Sequence, residues 1–355
     1  MKNQFIKIIG LILAITIIGG AFSGCGSSSN NSQGTTNSDN SASSEKSAQL
    51  DKLTVQSLWL PQGQFAGLYV ADKKGFYEEE GIDVEILSGG TDISSEDQVE
   101  NDVAQVGVAF YSSVLTYQEG GYDFVNVFQT FKTSPQYLVS KKDKNIKSGA
   151  DLKGKKVGSW FGGRQYEFYA LAKKNGLDPE KDINWVQQDY TMDQFNNDEL
   201  DVASAMSYNE YLLLLENGYK ESDLNVIDMN KEGAALLEDC FFVKRSWAEN
   251  NKDLLVRFLR ATIKGWAYTA EHIDEAAQIV YDAGDKSSTL EHQKAMTEKV
   301  IETVIPEGSS AKNIGELETA KIQQTIDLGF DTGLIKQKAD INKSIDSSYW
   351  TEAAK

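Results

Sequence analysis

The stretch 53–90, LTVQSLWLPQGQFAGLYVADKKGFYEEEGIDVEILSGG, constrains the fold more than any other part of the chain. Leu53, Val55 and Ser57 alternate with Thr54, Gln56 and Leu58 in a strand-like run that ends at Trp59 and Pro61. Proline cannot donate to a sheet ladder, so a strand stops there. Phe65, Leu68, Tyr69 and Asp72 then fall at helical spacing, and Gly75 stops the helix. Ile82–Leu87 reads as a second strand running into Gly89-Gly90. Strand, crossover helix and strand make the βαβ unit of a parallel sheet. Ligands of open α/β sheets bind at the carboxyl ends of the strands. Here those ends carry Trp59, the amides Gln62 and Gln64, and a diglycine, so the unit is expected to form one wall of a pocket.

The N-terminus sets the expected address. Lys2 and Lys7 form a basic start, an apolar run covers residues 8–22, and Phe22-Ser23-Gly24-Cys25 follows. This reads as a signal peptide over 1–24. Small residues before one cysteine resemble the lipobox of bacterial lipoproteins, with Phe22 where that pattern prefers leucine. The resemblance implies lipidation of Cys25 and a position on the outer face of the cell membrane. Residues 25–50 are a polar low-complexity tract, expected to be a flexible lipid-anchored linker. Removing 1–24 deletes two lysines and no acids, which takes the net charge from −18 to −20. So acidic a surface repels polyphosphate, which argues against nucleic acid as a partner. Cys240 is the only other cysteine, so neither a cysteine metal cluster nor an internal disulfide is expected.

From residue 53 to about 229 strands and helices alternate; after Lys252 the pattern is helical only. Leu254, Leu255, Phe258, Leu259, Thr262, Ile263 and Trp266 share one helical face and read as core. Further helices are expected near 273–282, 290–304 and 314–328. Chain crossings near 139–147 and 240–244 would divide the protein into a discontinuous first lobe, 51–143 with 243–355, and an inserted second lobe, 144–242. A cleft between lobes is a common place for a small-molecule pocket.

Catalytic groups are sparse. His272 and His292 both fall in the helical half and read as helix-face residues. No Ser/His/Asp set, His-x-x-x-His pair or Cys-x-x-Cys pair can be assembled, and neither diglycine is followed by a phosphate-loop lysine. Gly89-Gly90 and Gly162-Gly163 are each either a tight turn or a place where backbone approaches a ligand. Binding groups are better supplied. Trp59, Tyr69, Trp160 and Tyr208 lie at or near expected strand ends, where flat rings either pack in the core or stack on a flat ligand. Asn209 and Glu210 place an amide beside a carboxylate that can accept amino hydrogens. Arg164 is the only arginine in the first 244 residues.

The run WLPQGQFAGLYVADKKGFYEEEGIDVEILSGG, with Asp151-Leu152-Lys153-Gly154-Lys155-Lys156-Val157-Gly158, Met206-Ser207-Tyr208-Asn209-Glu210 and Gly265-Trp266-Ala267-Tyr268, resembles solute-binding proteins related to yeast thiamine pyrimidine synthase and to bacterial alkanesulfonate-binding proteins. The resemblance spans about residues 53–285. It implies an α/β type II periplasmic-binding-protein fold, two lobes on a hinge around a central cleft. It also implies an ABC permease and ATPase as partners, no cofactor, and a thiamine-pyrimidine precursor or riboflavin-type ligand. Carried over, Trp59 and Tyr208 would stack on the ring and Glu210 would accept its amino hydrogens. Trp160, Gly162 and Gly163 would form the facing wall, and Gln64, Tyr69, Gly90, Arg164 and Asn209 complete the expected contacts. A sulfonate is the alternative ligand. The alternative of another class is a synthase-like enzyme, which calls for a histidine in the cleft; the opening run has Phe65 and no histidine, and 238–242 holds one cysteine.

Overall fold

The computed structural model describes residues 49–355; the expected signal peptide, Cys25 and the linker up to residue 48 lie outside the described residues. In chain order the strands are β1 Asp51–Gln56, β2 Ile82–Leu87, β3 Val106–Ala109, β4 Phe124–Gln129, β5 Gln136–Lys141, β6 Lys156–Ser159, β7 Asn184–Gln187, β8 Ala203–Met206, β9 Leu224–Asp228 and β10 Cys240–Lys244.

The first sheet has the order β2-β1-β3-β10-β4. β1 runs parallel to β2 in the register Asp51↔Ile82 to Gln56↔Leu87, with the helix Ala66–Lys73 in the crossover, as the βαβ reading expects. β1 stops at Gln56, short of Trp59, so residues 57–62 are free to form a loop. β10 lies antiparallel between β3 and β4. Val55, Val106, Val108, Val125 and Val127 give this sheet a dry core, capped by Phe258, Leu259 and Trp266 of the helix Lys252–Glu271. Cys240 is a free, buried thiol in the same sheet.

The second sheet, β8-β5-β9, is antiparallel, and β6 pairs parallel with β7 beside it. The bridge Val157↔Val202 and the bond from Ser204 Oγ to Gly158 O (2.7 Å) tie the two together. Sheet membership therefore changes between Gln129 and Gln136, and again between Asp228 and Cys240. These points differ from the expected boundaries at 143/144 and 242/243, because β5 pairs with β8 and β9 while β10 pairs with β3 and β4.

The helices Ile273–Ala283 and Leu290–Val304 stand where the periodicity predicts them. The helix expected from 314 starts at Thr319 instead. The intervening backbone is engaged elsewhere: Gln129 N donates to Gly315 O (3.0 Å), and Gly315 has φ +80° with the Phe128 ring where a Cβ would stand. No helix among the described residues is long and apolar enough to cross a membrane.

Candidate functional site

One cavity, about 570 Å³ of space partly open to solvent, lies between the first sheet and the second group of strands. Its lining comes from strand ends. The loop after β1 supplies Leu58, Trp59 and Gln62, and the turn Gly63–Phe65 supplies Gln64. Phe110 follows β3. Trp160 and Arg164 follow β6, and Tyr190 follows β7. Met206 ends β8, and Tyr208, Asn209 and Glu210 lead into the helix Glu210–Glu216. Carboxyl ends of parallel strands converge on a ligand crevice in open α/β folds, and β1, β3, β6 and β7 obey that rule here.

The aromatic side chains are arranged across the cavity. Trp59 and Tyr190 meet at 4.9 Å between centroids with a 41° tilt. Trp160 and Tyr190 are parallel within 5° at 6.3 Å. Trp160 is fixed by its Nε1–H donating to Asp189 O (3.1 Å). Tyr208 packs edge-on against Phe131 at 5.9 Å. Trp160 and Tyr208 are buried, whereas Trp59 is half-buried and Tyr190 exposed, so the last two line the mouth.

Polar groups are held in fixed orientations behind these rings. Glu210 is buried; Oε2 accepts from Met206 N (2.9 Å) and Oε1 from Asn209 Nδ2 (2.7 Å). Burial raises its pKa from the ordinary glutamate value, and these two bonds oppose the rise. Asn209 Oδ1 contacts His292 Nε2 (2.9 Å), whose Nδ1 contacts Glu216 Oε1 (2.8 Å). Gln64 Nε2 donates to both oxygens of Asp239 (3.1 and 2.9 Å), and its Oε1 accepts from Gln62 Nε2 (2.7 Å). Among the described residues no group of histidines, cysteines and carboxylates could hold a metal ion.

Seven of the expected contact residues line this cavity: Trp59, Gln64, Trp160, Arg164, Tyr208, Asn209 and Glu210. Four stand outside its lining. Tyr69 is buried in the helix Ala66–Lys73 and packs into the core of the first sheet. Gly90 bridges to Ile93 in a surface turn. Gly162 and Gly163 adopt φ of +88° and +112°, the left-handed conformations that turn the chain from β6 toward the helix Tyr166–Lys174. Leu58, Phe110, Tyr190 and Met206 join the wall beyond the expected residues, each at or just past a strand end. His292 stands on the inner face of the helix Leu290–Val304, buried against Asn209.

The comparisons with known proteins agree with this architecture. The family model described as "NMT1/THI5 like" matches residues 62–276. The "Riboflavin-binding protein RibY" of Chloroflexus aurantiacus is 28% identical over 241 residues, 64% of this chain and 65% of that protein. The "Putative aliphatic sulfonates-binding protein" of Bacillus subtilis is 27% identical over 305 residues, 82% of this chain and 86% of that protein. Among solved structures, the periplasmic aliphatic sulphonate binding protein SsuA from Escherichia coli superposes with a TM-score of 0.64 at 18% identity, covering 84% of this chain and 92% of that one. The protein thus has the two-lobed α/β periplasmic-binding-protein fold, and with well over half of its length matched by the family model it belongs to the NMT1/THI5 like family.

Proposed function

We propose that this protein is the extracytoplasmic solute-binding component of an ABC importer, and that a small heteroaromatic compound of the thiamine-pyrimidine or riboflavin type is its ligand. The observation that carries the reading is the convergence of Trp59, Trp160, Tyr190 and Tyr208, from four separate strand ends, around the buried carboxylate Glu210. Flat rings offer stacking faces, and a buried carboxylate at the cavity wall accepts hydrogens from a ring amino group. The relative named for riboflavin supports a heteroaromatic ligand; the relative and the structural neighbour named for sulfonates keep a sulfonate as the second reading.

In this reading the first lobe is built on β1–β4 and β10, the second on β5–β9, and the hinge is the pair of segments 130–135 and 229–239. Ligand favours closure through the contacts it makes better in the closed form, such as simultaneous contact with Trp59 and Trp160. The closed form docks on permease and ATPase subunits, and a lipid on Cys25 with the linker to residue 50 keeps the receptor at the outer membrane face. The synthase-like alternative needs a histidine facing the ligand, whereas both ring nitrogens of His292 are engaged by Asn209 and Glu216.

A thermal-shift screen of aminopyrimidines, flavins and alkanesulfonates, followed by tryptophan-fluorescence titration, tests the ligand class. A pyrimidine or flavin is expected to raise the melting temperature and quench emission. Trp59→Ala is expected to weaken that ligand by about tenfold or more, from lost stacking and buried area. A melting temperature raised by sulfonates alone would overturn the heteroaromatic reading.

A further inference from the structure

The chain has four arginines, and three of them are committed. Arg245 Nε lies 3.4 Å from Asp123, Arg257 binds Asp51 and Asp253 at 2.6 and 2.8 Å, and Arg260 binds Glu80 at 2.8 Å. Arg164 differs. Among the described residues its guanidinium has neither an ion pair nor a hydrogen-bond partner, yet it is the one cation in the cavity lining. Its Cζ sits 5.0 Å from the centre of the Phe110 ring, a cation–π contact that holds the group without using its N–H donors.

The nearby carboxylates do not take up those donors either. Both oxygens of Glu210 are occupied by Met206 N and Asn209, and both oxygens of Asp239 by Gln64; Glu238 accepts from Gln136 at one oxygen, and its other oxygen, which has no partner, makes no ion pair with Arg164. The positive charge of Arg164 acts on Glu210, Glu238 and Asp239 from a distance and opposes the rise that burial gives their pKa values. A guanidinium is a planar fork of five donors that matches an oxyanion in bidentate fashion. Half-buried and without a protein partner at a partly enclosed cavity, the guanidinium is placed to donate to a ligand.

We infer that the ligand of this cavity carries an acidic oxyanion, a carboxylate, sulfonate or phosphate, and that Arg164 is the residue that selects for it. The inference rests on the reading of this cavity as the solute site and narrows it to ring compounds that carry an acidic group, or to the sulfonates of the second reading. Glu210 then accepts from the amino edge of the ligand while Arg164 donates to its acidic group.

Isothermal titration with a matched ring series tests this: para-aminobenzoate, sulfanilate and para-aminophenyl phosphate against the neutral para-aminobenzamide, with butanesulfonate as the acid without a ring. At least one acid is expected to bind on the order of tenfold to a hundredfold more tightly than the amide, the scale of a charge-assisted bond at a partly desolvated site. Arg164→Gln should level that difference, and Arg164→Lys, which keeps the charge but not the fork, should restore part of it. The tightest acid identifies the oxyanion. An amide that binds as well as the acids, or an Arg164→Gln variant that weakens acid and amide alike, overturns the inference and leaves the ring reading standing. Binding of butanesulfonate alone, lost in Arg164→Gln, supports the inference and overturns the ring reading. Failure of every probe with a wild-type chain that a pyrimidine or flavin stabilises overturns the inference and leaves the ring reading standing.

Discussion

Trp266→Ala is expected to destabilise the folded protein by about 3–5 kcal/mol, the range for truncating a fully buried large aromatic side chain. Trp266 is 1% exposed in the helix Lys252–Glu271 and lies over the helix Ala66–Lys73. The two helices approach through glycines. A Cβ on Gly67 would stand 2.2 Å from the Trp266 ring, and a Cβ on Gly265 would stand 2.2 Å from Gly67 O. Neighbours this close-packed cannot collapse far into the hole an alanine leaves, so the cavity cost adds to the lost transfer energy. Trp266 Nε1 is buried without a hydrogen-bond partner, which sharpens the test. Trp266→Phe keeps most of the ring and removes the unsatisfied donor, so its cost is expected to be less than half that of alanine. Urea denaturation, read as a shift in midpoint at constant slope, measures both. A loss under about 1 kcal/mol for alanine would show that this helix pair does not anchor the first sheet.

The same packing shows what the chain reveals before it is folded. The helical face Leu255, Phe258, Leu259 and Trp266 is local, a matter of spacing, and it stands as the periodicity predicts. So does the βαβ opening. The seat of that face on Gly67 is not local, because the contacting residues are about 200 positions apart. The cavity divides in the same way. Aromatic residues past strand ends are legible, as Trp59, Trp160 and Tyr208 are, and Tyr190 and Phe110 obey the same rule at the ends of β7 and β3. Tyr69 carries a similar signal, yet it falls on the core side of its helix, and spacing alone does not say which side meets the ligand. The partners that orient the polar groups are the least legible. Gln64 is tied to Asp239 and Asn209 to His292 across separations of 175 and 83 residues, and the two helical histidines give no sign of which one turns inward. The points where the chain changes sheets also lie away from the expected boundaries, 143/144 and 242/243, for a related reason. Sheet membership is decided by pairing partners, and β5 and β10 look alike as isolated apolar runs.

Between about pH 5 and pH 8 the folded protein is expected to lose stability as pH rises, opposite to the trend that paired surface carboxylates produce. Three fully buried acids cause this. Glu167 accepts from Ser134 Oγ (3.0 Å) and from Leu236 N, and burial pushes its pKa from 4.5 to about 8. Glu238 accepts from Gln136 Nε2 (2.8 Å), while its second oxygen and Gln136 Oε1 both lack a partner. Burial, with the charges of Glu167 and Asp239, raises Glu238 well above the carboxylate range. Asp239, also through burial and against its bonds from Gln64, rises from 3.8 to about 7. A raised acid binds more protons folded than unfolded between the two values, so the slope of unfolding free energy against pH is negative there. Each such acid contributes about 1.4 kcal/mol of loss per pH unit, complete once the pH passes its folded value. The exposed acids with lowered values, such as Asp151 and Asp178, act in the opposite sense, but only as the pH falls below the ordinary aspartate range. Asp239→Asn isolates one contribution, since an amide oxygen can still accept from Gln64 and no proton is exchanged. Urea denaturation at pH 5, 6, 7 and 8 should show a fall for the wild type, and for the variant a slope shallower by about 1.4 kcal/mol per unit up to pH ~7 and unchanged above it. Parallel profiles would mean that Asp239 is ionised in the folded protein throughout. All three acids stand in or against the two segments where the chain changes sheets, so a hinge built on them gains its stability from protons held between strands that ligand closure would move.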